Sequence, residues 1–149
     1  GTPLEGGLEK LPIGKGEILS GDGSGVVLLA VGSMVLKAVE AGSMLNMANI
    51  KNTVVNMRFV KPLDRELLEQ VLVKKPRLLV TLEENALAGG FGSAVLEYLA
   101  DANHMLPIMR FGIPDEFVEQ GSCSELLELC GLLPQQIADK IVEKIGGID

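Results

Sequence analysis

The side chains best suited to chemistry in this sequence lie in one stretch, residues 83–92. Two adjacent carboxylates, Glu83 and Glu84, follow an apolar run, and Gly89, Gly90 and Gly92 precede a helical pattern. Paired carboxylates can act as general acid and base, and a glycine-rich helix start can hold an anion. In an open α/β sheet, ligands bind beyond the carboxyl ends of strands, which is where this loop is predicted to lie.

The details of the loop favour a structural role over a catalytic one. Successive strand residues point to opposite faces, so Glu83 and Glu84 do not form an acid–base couple. We expect one of them to be buried in an ion pair with Arg58 or Arg110. The glycines lack the spacing of a dinucleotide site or a P-loop, and the loop contains no Lys or Arg. Close backbone packing, and an interface role in a larger assembly, are therefore predicted for the carboxylates and the three glycines.

A second motif, Gly21-Asp22-Gly23, invites comparison with a metal–diphosphate site. In thiamine diphosphate enzymes, Gly-Asp-Gly is followed by an Asn that shares the magnesium with the Asp, and Asn49 lies at a similar spacing here. That signature needs its Asp at the end of a buried strand, with a helix next. Asp22 instead precedes an apolar strand at residues 26–31, so a glycine turn with local hydrogen bonds to Asp22 is predicted.

Other reactive side chains give no recognisable site. His104 is predicted to be solvated in a loop, without the neighbours of a catalytic triad. Cys123 and Cys130 cannot complete a four-ligand zinc site with a single histidine, and we expect both to be free thiols. We assign no catalytic, cofactor-binding or metal-ligating residue to this chain.

Residues 58–64 are predicted to leave a strand and begin a helix. Asp64 is a suitable N-cap, and Pro62 interrupts the strand. Arg58 and Asp64 are therefore interpreted as structural residues, with a partner-binding role for this segment as the alternative.

Composition is typical of one folded domain and argues against nucleic acids and anionic membranes as partners. The 149 residues are 47% hydrophobic and only 3% aromatic, and their net charge is −7. Nucleic-acid backbones and anionic membrane surfaces need clustered Lys and Arg, which this sequence lacks. No apolar run reaches the length of about 18 residues that indicates a membrane-spanning helix.

The apolar periodicity alternates between strands and helices, which predicts an α/β fold with three layers. Its sheet has five mostly parallel strands, and the first strand is antiparallel at an edge. The predicted strands are residues 17–20, 26–31, 53–59, 78–82 and 107–111. Helices are predicted after Ser33 and Asp64, at residues 92–101, from Ser124 to Gly131 and from Pro134. Their buried positions are Met34, Ala38, Ala41, Leu45 and Ala48, then Leu67, Leu68, Val71 and Leu72, then Val95, Tyr98 and Leu99, and finally Ile137, Ile141 and Ile145.

The chain divides into an irregular beginning and a folded remainder. Residues 1–15 are predicted to be a linker or the tail of a preceding domain, and residues 16–149 the domain itself. A start at Gly1, without Met, leads us to expect a fragment of a longer polypeptide.

Three blocks, residues 57–64, 80–93 and 111–122, together resemble the C-terminal domain of the 1-deoxy-D-xylulose-5-phosphate synthase family. Residues 8–16 resemble the segment that leads into that domain. Any one block would also suit other transketolase-like domains, such as those of 2-oxo-acid dehydrogenase beta subunits. A self-standing α/β module that binds a small ligand at residues 83–92 is a further alternative.

The resemblance implies a thiamine diphosphate- and magnesium-dependent transferase as the full-length protein. That enzyme condenses pyruvate with glyceraldehyde 3-phosphate, releases carbon dioxide and supplies isoprenoid, thiamine and pyridoxal synthesis. Cofactor, metal and activating glutamate belong to upstream domains, so this fragment alone is expected to be inactive and to bind neither cofactor. Its implied partners are those upstream domains and a second subunit of a homodimer, in a bacterial cytoplasm or a plastid-type organelle.

Overall fold

The computed structural model describes residues 12–114 and 123–148. The strands are β1 (Glu17–Ser20), β2 (Val26–Ala30), β3 (Asn52–Asn56), β4 (Leu78–Ala86) and β5 (Ile108–Ile113). The helices are α1 (Met34–Met47), α2 (Arg65–Leu72), α3 (Phe91–Asp101), α4 (Cys123–Leu129) and α5 (Pro134–Gly146).

The five strands form one mixed sheet in the order β1-β3-β2-β4-β5. Strand β2 lies at the centre and pairs in parallel with β3 and β4, while β5 pairs in parallel with β4. Strand β1 is the antiparallel edge strand, paired with β3. The predicted fold is therefore confirmed.

Alternating residues of the central strands feed two separate cores. Leu28 on β2 and Val80 on β4 pack with α1 and α5 on one face of the sheet. Leu29 and Leu79 pack with α2 and α3 on the other face. Strand β2 is buried along its whole length because helices cover both faces, as its continuous apolar sequence predicts.

Three strands end more than one residue away from the predicted position, and the other differences are of one residue. Strand β3 ends at Asn56 rather than at residue 59, because Asn56 Oδ1 accepts a hydrogen bond from the Arg58 amide at 3.0 Å and Arg58 takes a φ of 57°. Strand β4 continues to Ala86, which pairs with Ile113 after a shift in register. Strand β5 therefore runs beyond residue 111, to Ile113.

Four predicted helix positions were wrong. Ser33 makes no side-chain cap, because its own backbone is already helical and not in the extended conformation that a cap requires. Ala48 lies beyond α1 and is exposed. Tyr98 is only partly buried, since its hydroxyl reaches the Glu69 carboxylate at the surface. Ser124 lies inside α4, which already begins at Cys123.

The other helix predictions are confirmed. Asp64 caps α2 by accepting a hydrogen bond from the Leu67 amide at 3.1 Å, and Pro134 occupies the first turn of α5. The remaining predicted helix positions are buried: Met34, Ala38, Ala41, Leu45, Leu67, Leu68, Val71, Leu72, Val95, Leu99, Ile137, Ile141 and Ile145.

Some predictions fall on parts of the chain that the structure does not describe. These are most of the predicted linker, residues 115–122 of the third family block and the side chain of Cys123. Cys130 is a free thiol, as predicted. Within the described ranges, none of the helices combines the length and apolar character that a bilayer crossing requires.

The orientation of α5 can be tested with two neighbouring residues. Ile141 is fully buried against the sheet, whereas Val142 is 44% exposed. We expect Ile141→Ala to lower the free energy of unfolding by about 2–5 kcal/mol, because it leaves a cavity. Val142→Ala should change it by less than about 1 kcal/mol. Urea denaturation followed by circular dichroism measures both, and equal losses would contradict this placement of α5.

Candidate functional site

The centre of the candidate site is the buried carboxylate of Glu83, near the end of β4. The Glu83 side chain is 0% exposed and lies on the face of the sheet covered by α3. Its Oε2 accepts a hydrogen bond from the Phe91 amide at 2.6 Å, and its Oε1 accepts one from the Gly92 amide at 2.8 Å. These amides belong to the first turn of α3, where backbone donors have no partner within the helix. The carboxylate thus caps α3 from inside the protein and complements the positive end of its dipole.

Glycines allow the backbone to approach this carboxylate. A Cβ on Gly90 would overlap Glu83 Oε2 and the carbonyl oxygen of Ala86. On the other side of Glu83, a Cβ on Gly112 of β5 would lie 3.1 Å from Glu83 Cγ. A side chain at position 90 would therefore displace the carboxylate, and one at position 112 would press on Leu87 and on the Cγ of Glu83.

The outer part of the loop is held by a separate set of hydrogen bonds. Ser93 Oγ donates to the Leu87 carbonyl oxygen at 2.8 Å and accepts from the Gly89 amide at 3.1 Å. Arg110 Nη1 donates to the same Leu87 oxygen at 3.1 Å and to Ser93 Oγ at 3.2 Å. The first turn of α3 and strand β5 therefore both fix the loop from outside.

The expected ion pair of a loop glutamate with Arg58 or Arg110 was wrong. Backbone amides, rather than a guanidinium, are the hydrogen-bond partners of Glu83. Arg58 pairs instead with Glu17 of β1 at 2.7 Å, and Arg110 binds the loop as described above. Glu84, the next residue of β4, is partly exposed, which agrees with the two carboxylates pointing in different directions.

The structure brings together only some of the predicted site residues. Glu83, Gly90 and Gly92 meet at the start of α3, and Gly89 lies in the same loop with open space around its Cα. Arg58 and Asp64 lie apart from them, on the loop between β3 and α2, because β2 separates β3 from β4 in the sheet. The predicted site residues therefore form two separate groups, one at the start of α3 and one between β3 and α2.

His104 is less solvated than expected. Its Nε2 lies 2.9 Å from Glu69 Oε1, and the same oxygen accepts a hydrogen bond from the Tyr98 hydroxyl. The Tyr98 hydrogen bond lowers the pKa of Glu69 and raises the pKa of Tyr98, because it stabilises the carboxylate and the neutral phenol. The three side chains link α2 to α3 and to the loop that follows α3.

Asp22 forms the predicted glycine turn. It accepts hydrogen bonds from the Ser24 amide at 3.1 Å and the Ser24 hydroxyl at 2.6 Å, and Lys51 Nζ lies 3.0 Å away. The Ser24 hydroxyl and then Lys51 hold the pKa of Asp22 below its usual value. Asp22 lies ahead of strand β2, whereas the magnesium–diphosphate motif needs its Asp at the end of a buried strand, so its position does not fit that site. Among the described residues, no group of three or more His, Cys, Asp and Glu side chains could hold a metal ion.

Sequence reasoning missed Gly112, Ser93 and Thr81. A glycine inside a strand often marks close approach of another group, so Gly112 carried a usable signal. Ser93 lies just inside α3, and only the fold shows that its hydroxyl reaches back to the loop. Thr81 Oγ1 is buried and lacks a hydrogen-bond partner among the described residues, and a Cβ on Gly92 would lie 2.7 Å from it.

Comparison with known proteins gives a consistent result. The family model "Transketolase, C-terminal domain" matches residues 14–137. A 1-deoxy-D-xylulose-5-phosphate synthase from Prochlorococcus marinus (strain MIT 9211) is 45% identical over 97% of this chain and 22% of its own length. A synthase of the same name from Gloeothece citriformis (strain PCC 7424) is 48% identical over 96% of this chain and 22% of its own length. The chain thus spans about a fifth of the length of these relatives.

Solved structures support the same fold. A chain described as "Split gene transketolase, inactive beta4 tetramer" is 33% identical, with a TM-score of 0.82, over 93% of this chain and 44% of its own length. A transketolase from Pichia stipitis in complex with sedoheptulose 7-phosphate is 22% identical, with a TM-score of 0.63, over 88% of this chain and 18% of its own length. At that identity it supports the fold alone.

The role of the buried carboxylate can be tested by comparing adjacent glutamates. Glu83→Gln removes the charge and places an amide donor against a backbone donor. We expect the free energy of unfolding to fall by about 1.5–3 kcal/mol, the range for hydrogen bonds to charged groups. Glu84→Gln changes a partly exposed residue and should cost less than about 0.5 kcal/mol. Chemical denaturation of both variants measures this difference, and its absence would refute the helix-capping role of Glu83.

Proposed function

The chain belongs to the transketolase C-terminal domain family, and from that premise we propose that it packs on the other domains of a 1-deoxy-D-xylulose-5-phosphate synthase and supports its homodimer. Residues 16–149 are the domain in this proposal, and residues 1–15 are the segment that connects it to the preceding domain. The identity of 43–48% to curated synthases over nearly the whole chain supports this assignment over a 2-oxo-acid dehydrogenase beta subunit.

In this proposal, catalysis takes place on other parts of the full-length enzyme. The synthase condenses pyruvate with glyceraldehyde 3-phosphate and releases carbon dioxide, and thiamine diphosphate with magnesium supplies the carbanion chemistry. Asp22 precedes strand β2 rather than following it, so this proposal gives Asp22 no role in holding the metal. Since both relatives compared above are cyanobacterial, we propose a bacterial cytoplasm, or a plastid-type organelle in a eukaryote, as the compartment.

One observation carries the structural assignment of the loop. Both oxygens of Glu83 accept backbone hydrogen bonds, and the group is sealed from solvent. A catalytic acid or base must reach the proton that it transfers. Glu83 cannot do so without releasing α3, which favours the packing role over a small-ligand module at residues 83–92.

Cofactor binding separates this proposal from a self-contained active site. We expect isothermal titration calorimetry of this chain with thiamine diphosphate and magnesium to show no saturable heat. A longer synthase that contains the remaining domains is the positive control. A metal-dependent affinity in the micromolar range for the isolated chain would overturn the proposal.

The structural role of the loop can be tested in a full-length synthase that carries this domain. Gly90→Val places a branched side chain against Glu83. It should lower the free energy of unfolding by about 1–3 kcal/mol, because a buried contact becomes overpacked. Melting temperature and dimer content should both decrease, while turnover per remaining dimer is retained. Gly146→Ala at the end of α5, where a Cβ meets nothing within 4 Å, is the control. Unchanged stability and assembly with greatly reduced turnover would show that the loop acts in the chemistry.

A further inference from the structure

The loop between β3 and α2 contains the first family block, residues 57–64, and the proposed function leaves its role open. We propose that these residues form an anchor loop that binds the entering segment, residues 14–17, and fixes the direction in which the polypeptide enters the domain. The importance of this direction for the whole enzyme rests on the proposed function. The contacts between residues 14–17 and residues 57–64 do not depend on that function.

Asp64 is the main contact, because its two carboxylate oxygens have different partners. Oδ1 accepts the Leu67 amide at 3.1 Å and caps α2, whereas Oδ2 accepts the Gly16 amide at 3.0 Å. The residue is only 5% exposed, so water competes weakly for either bond. One side chain therefore ties the entering segment to the start of a helix 48 residues further along the chain.

Shape reinforces this hydrogen bond. A Cβ on Gly16 would lie 2.7 Å from both the Asn56 carbonyl oxygen and Leu67 Cδ2, and 3.2 Å from Met57 Cα. The entering backbone thus lies directly against the end of β3 and against α2. Only a residue without a side chain fits between them.

Charged side chains hold the segment on both sides of Gly16. Arg58 Nη2 lies 2.7 Å from Glu17 Oε1, and the Arg58 side chain is 19% exposed. Lys15 Nζ lies 2.5 Å from Glu66 Oε2 and 3.7 Å from Asp64 Oδ1. The Glu66 side chain is 87% exposed, so solvent screens that pair and we assign it little of the binding. Asp64 and Arg58 are the anchoring residues.

Amide hydrogen exchange in the complete 149-residue chain tests the anchor directly. Asp64→Asn keeps one acceptor oxygen and is a good helix cap, so the Leu67 amide should stay protected. Gly16 loses its acceptor, and its exchange should accelerate by about ten- to a hundredfold, the effect of losing one hydrogen bond to a charged group. Glu66→Gln removes only the exposed pair, so exchange at Gly16 should remain unchanged. Trypsin cleavage after Lys15 should accelerate in Asp64→Asn and not in Glu66→Gln.

Two outcomes of the Asp64→Asn exchange experiment would contradict the proposed anchor loop. Unchanged exchange at Gly16 in Asp64→Asn would show that the carboxylate does not hold the segment. Equal acceleration at Gly16, Leu67 and the core amides would show only a general loss of stability. Glu17→Gln provides a second test that leaves the α2 cap intact: it should accelerate cleavage after Lys15, and unaltered cleavage would also contradict the proposal. These measurements need no cofactor or second subunit. A negative result would therefore not contradict the proposed function, and failure of the proposed function would not contradict the anchor loop.

Discussion

The contact between the Glu83 carboxylate and the first amides of α3 is the interaction on which the carboxyl edge of the sheet depends. It requires β4 to continue past the regular ladder, and it requires backbone without side chains at Gly90 and Gly112. Burial makes the requirement strict, since an ionised group inside the protein must find compensating donors. The glycine-rich sequence resembles a ligand-binding loop, but the group that it surrounds is the Glu83 side chain of the same domain.

Asp64 uses the same principle on the other side of β2. Asp64 and Glu83 each accept backbone amides at the start of a helix, and Asp64 also accepts the Gly16 amide from a distant part of the chain. In both cases the acid is committed to holding backbone in place. This common use of buried acids is compatible with the packing role proposed for the domain.

Much of the fold could be predicted from periodicity, because strands such as β2 and helix faces such as that of α5 repeat at the spacing of their secondary structure. The Glu83 contact could not, because it depends on a register shift between β4 and β5 that no local pattern encodes. The early end of β3 likewise follows from one hydrogen bond between Asn56 and Arg58. Asp64 was recognisable as a cap, but its second oxygen binds a residue far away in sequence, which requires the assembled fold.

The two cores also differ in when their members are synthesised. The core under α2 and α3 draws on residues up to about the start of β5, so its parts are available once that strand has been made. The core under α1 includes Ile137, Ile141 and Ile145 of α5. During translation, the core between α1 and its side of the sheet is therefore complete only after α5 has been made. We therefore expect a nascent-chain stage in which the side under α2 and α3 is packed, while the other side, covered only by α1, still exposes apolar surface.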